Sequence, residues 1–185
     1  MSRISVFNFI SLNGFYKGEN EDLSWHNHNN EESVAFSETN VQGDGILLFG
    51  RVTYDMMVSA WTSEELKQRF PKIAEGMNRK EKIVFSRKMK KADWQNTKVI
   101  NGDIEEKMRK LKKEGNKDMV ILGSGSIITQ FANSGLIDEY QFLINPIVLA
   151  KGTPIFQGLN DNLRLKLTST RIFKNGNIFV KYEVG

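Results

Sequence analysis

Three places in the chain combine glycine, hydroxyl or arginine residues directly after a predicted strand. They are Gly50-Arg51-Val52-Thr53, Ser86-Arg87 and Gly123-Ser124-Gly125-Ser126. Glycines let the backbone approach a ligand closely, and the first turn of a helix offers unpaired N–H groups. Arginine forks and helix N-termini both suit phosphate. These residues predict an anion site, although a tight strand-to-helix connection without a ligand is the alternative for the glycine–serine turn taken alone.

The three places would converge if the strands before them run parallel, because ligands bind at the carboxyl ends of such strands. A dinucleotide with an extra phosphate would use all three. The turn at 123–126 is not a Rossmann fingerprint, because Ile128 stands where the third glycine should be and the turn falls late in the chain. It is not a P-loop either, since no Gly-Lys-Ser/Thr follows it.

The pattern of apolar residues predicts an α/β fold of about eight strands and four or five helices. Strands and helices alternate first, and Asn175-Gly176 indicates a hairpin near the end. We therefore expect a mixed sheet, mostly parallel, with an antiparallel C-terminal hairpin and helices on both faces. The predicted strands are 3–10, 45–49, 82–85, 97–100, 119–122, 139–145, 163–170 and 178–184.

Capping patterns predict where three of the helices begin. Asn30 precedes a helix over 31–40, Thr62-x-x-Glu65 is a capping box that precedes Pro71, and Asp103-x-x-Glu106 opens a helix that ends at Gly115. Another helix opens at Arg51 and carries Met56, Met57 and Trp61.

Length and composition predict one domain over residues 1–185. There is no cysteine, which excludes disulfides, thiolate catalysis and cysteine-bound metals. No run of 18 apolar residues and no signal-peptide pattern is present, so we expect a cytoplasmic protein without a membrane span. The formal net charge is +4, and the basic stretches 79–91 and 107–117 are interpreted as solvated faces, with polyanion binding as the alternative. They lack interleaved aromatic residues, so we expect no nucleic-acid partner.

The polar loop at 18–30 holds Trp25, His26 and His28. Trp25 either closes the edge of the core or forms the wall of a ligand pocket. The two histidines alone are too few for a metal site, and we expect no metal.

At the level of motifs, the chain resembles the dihydrofolate-reductase-like fold. It is most similar there to the C-terminal reductase domain of the bifunctional riboflavin-biosynthesis deaminase/reductase. The resemblance covers nearly the whole chain and rests on six motifs in the same order. They are Ser11-Leu12-Asn13-Gly14, Gly50-Arg51-Val52-Thr53, the strand that ends in Ser86-Arg87, Gly123-Ser124-Gly125, Gly135-Leu136-Ile137-Asp138-Glu139-Tyr140, and Pro146 with Gly152-Thr153-Pro154-Ile155-Phe156.

The resemblance implies an NADPH-dependent reductase of a small nitrogen heterocycle. Arg51 and Thr53, together with Ser86 and Arg87, would hold the adenosine phosphates. Gly50, directly before Arg51, would be part of the same cofactor-binding site. Leu12 and Asn13 would lie beside the nicotinamide. The residues Gly123, Ser124, Gly125, Ser126 and Ile127 would cover the pyrophosphate, and the substrate pocket is expected at Asn13, Trp25, Met57, Trp61 and Pro146.

Two departures from the family pattern affect the expected chemistry. Asn13 replaces the usual aspartate, and Ser124 replaces the second glycine of a pair. The proton donor is unassigned: Asn13 and Glu31 are candidates, Glu32 and Asp22 lie in the same region, and a water could serve instead. Acidic residues at 31 and 32 also suit the first turn of a helix without any catalytic role.

The resemblance leaves the substrate open. A 5-amino-6-(5-phosphoribosylamino)uracil reductase of riboflavin biosynthesis is favoured, and a dihydrofolate or pterin reductase is the alternative. A nucleotide-binding module that keeps the fold without catalysis is a third interpretation. Domains of this type often pair through sheet edges, so we expect a homodimer.

Overall fold

The computed structural model describes residues 1–26 and 30–185. Its ten strands within these residues are β1 (Ile4–Ser11), β2 (Phe15–Gly18), β3 (Ile46–Gly50), β4 (Lys82–Phe85), β5 (Thr97–Ile100), β6 (Met119–Leu122), β7 (Glu139–Asn145), β8 (Gly152–Pro154), β9 (Leu165–Ile172) and β10 (Ile178–Val184). Its α-helices there are α1 (Glu31–Asn40), α2 (Arg51–Trp61), α3 (Glu64–Arg69), α4 (Pro71–Arg79), α5 (Ile104–Glu114) and α6 (Gly125–Asn133). A short 3-10 helix covers Glu19–Glu21.

Eight strands form one sheet in the order β5-β4-β3-β6-β1-β7-β10-β9. The six strands from β5 to β7 are parallel to one another, and β10 and β9 run antiparallel at the end of the sheet. The prediction of a mostly parallel sheet with an antiparallel C-terminal hairpin is confirmed. Parallel β4, β3 and β6 are neighbours, so the three predicted anion-binding turns follow adjacent strand ends.

The structure differs from the sequence predictions in three details. Strands β2 and β8 form a second, two-stranded sheet that was not predicted, because each is too short to show a periodic pattern. The described residues hold six α-helices where four or five were expected. The N-cap of α3 is Ser63, whose side chain accepts a hydrogen bond from Leu66 N, and not Thr62. Thr62 instead ends α2, and its hydroxyl donates to Val58 O.

The two faces of the sheet are packed differently. One face carries a single continuous apolar cluster, in which Ile127, Ile128 and Phe131 of α6 pack on the strands. The other face carries two separate clusters. One joins β3 and β4 to α2 and α4, and the other joins β7 and β10 to Phe36 of α1. The gap between these two clusters lies over β1 and β6, in the middle of the sheet.

Helix α1 is held mainly by contacts of side chains that are not fully buried, because Ser33 is its only buried residue. The ring of Phe36 packs against Phe173 and Phe179, with centroids 5.4 Å and 5.0 Å away. Glu38 pairs with Lys72 of α4 at 3.1 Å. These contacts fix α1 as one side of the gap.

Two further features concern the expected absence of a membrane span and the expected homodimer. No helix in the described ranges is long and apolar enough to cross a membrane. Strand β9 is the outer strand of the sheet, and almost all of its residues are exposed. The homodimer stays a prediction.

Candidate active site

Two helix N-termini lie side by side at the carboxyl edge of the sheet. Helix α2 follows β3 and helix α6 follows β6, and these two strands pair in parallel. The first N–H groups of a helix have no partner inside the helix, and they carry the positive end of its dipole. Among the described residues, no acceptor meets the amides of Arg51, Val52, Gly125 or Ser126. The edge therefore presents two sets of donors to one anionic ligand.

Ser124 joins the two helix starts. Its Oγ accepts a hydrogen bond of 2.9 Å from Gly50 N and donates one of 3.0 Å to Leu122 O. Its own N–H donates to Thr53 Oγ1 at 3.0 Å. Ser124 has left-handed backbone angles, φ 58° and ψ 48°, which explains why a glycine would also fit there. The departure from a glycine pair thus adds a cross-link between α2 and α6.

Asn8 of β1 fixes the turn at 123–126 by two hydrogen bonds to Gly123. This residue is buried, and its Oδ1 accepts from Gly123 N at 2.9 Å while its Nδ2 donates to Gly123 O at 3.3 Å. Both polar groups of Gly123 are therefore satisfied by one side chain. Asn8 was not among the predicted site residues, although a buried amide inside an apolar strand is a signal that could have found it.

The backbone of the turn is packed too closely for larger residues. A Cβ added at Gly123 would lie 2.8 Å from Thr53 Cγ2, and φ at Gly123 is 57°. A Cβ at Gly125 would lie 2.9 Å from the Tyr16 ring. These two glycines keep the amide groups accessible at the helix start, which is what a diphosphate would need. The residues present therefore fit the diphosphate of a dinucleotide.

Ile127, a predicted cofactor-binding residue, packs into the core beneath the turn. It is buried, belongs to the continuous core cluster, and lies beneath Gly50, where an added Cβ would be 3.4 Å from its side chain. Its side chain supports the turn from the side that faces the core. Its predicted contact with a cofactor stays untested.

The two arginines stand in different settings. Arg51 is half exposed, and its Nη1 pairs with Asp55 Oδ2 at 2.7 Å one turn along α2. Arg87 is exposed just beyond β4, and the neighbouring Ser86 is buried, with its Oγ accepting from Met89 N at 3.0 Å. The Ser86 hydroxyl thus stabilises its own turn. Both arginines follow strands that end at the carboxyl edge of the sheet. Arg51 lines the cavity there and Arg87 is not among its lining residues, and their contacts with a cofactor stay predictions.

A cavity of about 1290 Å³ opens from this edge into the gap between the two core clusters. Gly50, Arg51, Thr53 and the range 123–126 line its outer end. Its floor is the sheet, with Phe7 and Phe9 of β1, Leu47 of β3, and Val120 and Leu122 of β6. Its walls come from Met57 and Trp61 of α2, Leu66 of α3, and Ile73 and Met77 of α4. We call this inner part the apolar chamber.

The predicted substrate residues divide between the cavity and its surroundings. Met57 and Trp61 line the cavity. Trp25 is outside the lining, and its Nε1 donates to Asp22 O at 3.0 Å. Pro146 is exposed and lies against the β9–β10 turn, 3.3 Å from a Cβ added at Gly176.

His26 lines the cavity beside Trp25 and was not predicted to do so. Its ring stacks on Phe9 with centroids 5.1 Å apart, and Trp25 packs edge-on against it at 4.3 Å. Tyr16, also missed, lines the cavity from β2. His28 lies outside the described residues. Across 1–26 and 30–185, no group of three or more potential ligands could hold a metal ion.

Leu12 and Asn13 lie in the loop after β1, outside the cavity lining. The Leu12 side chain is 66% exposed, so a flat ligand ring could rest against it. Asn13 is held on both sides: its Nδ2 donates to Leu149 O at 2.8 Å and its Oδ1 accepts from Leu149 N at 3.1 Å. A carboxylate could not donate, so this reciprocal pair requires the asparagine. Asn13 thus joins the loop after β1 to the loop after β7.

Two of the acidic residues before and at the start of α1, Asp22 and Glu32, already accept hydrogen bonds from other residues of the protein. Glu31 is exposed and outside the cavity lining. Glu32 accepts from Lys174 N and from Arg171, both at 3.0 Å, and these bonds lower the pKa of its carboxyl. The pKa of Asp22 is lowered by the hydrogen bond from Ser24 N. From α1, the described side chains that line the cavity are Ser37 and Asn40.

The comparisons with known proteins agree with this geometry. The family model of the RibD C-terminal domain matches residues 3–179. The chain belongs to the RibD C-terminal domain family. It is also 33% identical over 174 residues to the uncharacterized protein YyaP of Bacillus subtilis (strain 168), covering 94% of this chain and 90% of that protein.

Two solved structures show the same fold at lower identity. A putative riboflavin biosynthesis protein from Shewanella sp. PV-4 superposes with a TM-score of 0.76 at 21% identity, covering 99% of both chains. The dihydrofolate reductase of Enterococcus faecalis, solved with NADP(H) and RAB-propyl, gives a TM-score of 0.67 at 13% identity and covers 99% of this chain and 96% of that one. The dihydrofolate-reductase-like fold expected from the motifs is confirmed. Membership of the RibD C-terminal domain family suggests an oxidoreductase.

Proposed function

We propose that this protein is an NADPH-dependent reductase of a small nitrogen heterocycle. The observation that carries the proposal is the pair of helix N-termini at Gly50–Thr53 and Ser124–Ser126, cross-linked by Ser124 at the mouth of a deep cavity. The diphosphate of the cofactor would accept from the amides of Gly125 and Ser126 and from the start of α2. Arg51 would reach a 2′-phosphate, which NADPH carries and NADH lacks.

The role of the chain in the reaction would be mainly to position the reactants and exclude water. The bound nicotinamide would supply a hydride to the carbon of a C=N bond, and a proton from water would go to the nitrogen. The carboxylates of Glu32 and Asp22 are occupied by their own partners, and the described part of α1 lines the cavity only with Ser37 and Asn40. A water is therefore a better candidate for the proton donor than Glu31.

Titration of the protein with NADPH, followed by tryptophan fluorescence, tests the cofactor. Trp61 lines the cavity and should report binding. We expect saturable binding with a dissociation constant in the micromolar range and weaker binding of NADH. No change in fluorescence up to millimolar NADPH would refute the proposal. Arg51→Ala should remove most of the preference for NADPH over NADH.

A second candidate is a cofactor-binding module without catalysis, and the exposed position of Glu31 favours it. A panel of pyrimidines, pterins and folates with NADPH separates the two. Steady oxidation of NADPH with any of these compounds supports the reductase. Tight NADPH binding without turnover across the panel supports the module.

A further inference from the structure

Each lysine and arginine side chain that lines the cavity within the described residues already has a hydrogen-bond partner. Among the described lining residues they are Lys17, Arg51 and Lys80. Lys17 Nζ contacts both carboxylate oxygens of Glu21, at 2.6 Å and 2.7 Å. Lys80 is buried, and its Nζ donates to Gly43 O at 2.6 Å. Arg51 lies at the cofactor end and pairs with Asp55.

The apolar chamber is lined mainly by apolar side chains, although the cavity as a whole also has polar lining residues, Ser37, Asn40 and Gln141 among them. Its floor and walls, defined above, carry aromatic, aliphatic and methionine side chains. Burial lowers the pKa of Lys80, so its surroundings already disfavour a charge. A phosphate on the substrate would bring a charge of about −1.5 to −2 into this space at neutral pH. No cationic residue that the structure describes belongs to the floor or the walls of the chamber, so burying a phosphate there is strongly unfavourable.

We infer that the substrate is a neutral, fused heteroaromatic ring compound without a phosphate group, bound in the apolar chamber between Phe9, Met57 and Trp61. The inference rests on the proposed reductase function and names its substrate class. Flat rings suit the chamber, because aromatic and methionine side chains pack well against π faces. It also argues against the phosphoribosyl substrate that the family resemblance favoured.

Three flavins serve as matched probes for this inference. Lumiflavin is a neutral fused ring, riboflavin adds a polyol chain, and FMN adds a phosphate to that chain. Their binding is measured by flavin fluorescence in the presence of saturating NADP+, so that the cofactor site is filled and no hydride is transferred. We expect lumiflavin to bind at least tenfold more tightly than FMN, with riboflavin between them.

A substitution locates the binding site. Met57→Asp places a carboxylate in the chamber and should weaken lumiflavin binding at least tenfold. Leu167→Asp introduces the same charge at an exposed position on β9 and should leave it unchanged. Met57→Gln keeps a similar side-chain length but places an uncharged amide in the chamber, and it should weaken lumiflavin binding several-fold, which covers the case in which Met57→Asp does not fold.

The outcomes separate this inference from the proposed function. FMN binding as tightly as riboflavin, or more tightly, would overturn the inference even if NADPH binds. The absence of binding by all three flavins while NADP+ binds would overturn it too. If NADP+ does not bind, the cofactor proposal fails. The relative affinities of the three flavins, and the effect of Met57→Asp on them, are then measured without cofactor and still decide the substrate class.

Discussion

The hydroxyl of Ser124 accepts a hydrogen bond of 2.9 Å from the backbone N–H of Gly50, which joins the start of α6 to the start of α2. The two residues are 74 positions apart in the chain. The bond satisfies an amide at the edge of the candidate cofactor site and sets the distance between two helix N-termini. The serine that departs from the family's glycine pair is therefore a structural part of the site.

Ser124→Ala and Ser124→Gly test this cross-link. Both remove the hydroxyl from Gly50 N, and leaving this part-buried amide unsatisfied costs at most about 1–3 kcal/mol. Alanine also has to adopt the left-handed conformation, which costs roughly 1–2 kcal/mol that glycine avoids. We expect Ser124→Ala to be the less stable variant in urea unfolding and both variants to bind NADPH about fivefold more weakly. Equal NADPH affinity in all three proteins would show that the hydroxyl does not position the site.

Gly123→Ala and Gly135→Ala form a matched pair. The φ angles are 57° and 66°, so both alanines carry a similar backbone strain. A Cβ at Gly123 would lie 2.8 Å from Thr53 Cγ2, whereas a Cβ at Gly135 has no neighbour within 4 Å. We expect Gly123→Ala to weaken NADPH binding at least tenfold in calorimetric titration and Gly135→Ala to change it less than twofold. A similar loss in both variants would mean that backbone strain alone is responsible.

Asp55→Asn tests whether Arg51 is restrained by its ion pair. The pair is about half exposed, and exposed pairs contribute roughly 0.2–1 kcal/mol. Release of Arg51 should strengthen NADPH binding up to about fivefold at low salt and leave NADH binding unchanged. Glu64→Gln is the control, because it removes an equal charge from the Lys67 pair on α3. The same gain in Glu64→Gln would attribute the effect to net charge and not to Arg51.

Lys82→Met tests the buried lysine on β4. Lys82 Nζ donates to Asn78 O, Lys80 O and Gln95 O and lies 4.5 Å from the Trp94 ring centroid, and burial lowers its pKa from 10.5 to about 8. The three carbonyl acceptors favour the charged form and oppose this effect of burial. Between pH 8 and pH 10.5 the unfolded chain binds more protons at this residue than the folded chain, so stability rises with pH.

From pH 7 to pH 9.5 the free energy of unfolding of the wild type should gain at most about 2 kcal/mol relative to Lys82→Met. Urea unfolding of both proteins at the two pH values measures this difference. A difference that stays constant or shrinks as the pH rises would contradict a lowered pKa.

Local sequence patterns predicted most of the main sheet. Strands β4, β5, β6 and β7 have the bounds that the sequence predicted for them, and Asn30 and Asp103 cap α1 and α5 as expected. Each of these elements is marked by residues that lie close together in the chain. The convergence of three strand ends followed from the rule for parallel sheets, and the order β4-β3-β6 confirms it.

Contacts between distant residues were less accessible from the sequence. Asn8 and Gly123 are 115 positions apart, and neither residue type alone indicates the pairing. The pairing of β2 with β8 depends on two strands of four and three residues. The apolar chamber exists because two core clusters stay apart over β1 and β6, a property of packing that apolar periodicity does not show.

A crystal structure of the protein grown with NADP+ at millimolar concentration would locate the cofactor directly. We expect the diphosphate at the paired helix N-termini, with its oxygens within hydrogen-bonding distance of the Gly125 and Ser126 amides and the nicotinamide directed into the cavity. A diphosphate bound elsewhere, or no bound cofactor at that concentration, would contradict the proposed site.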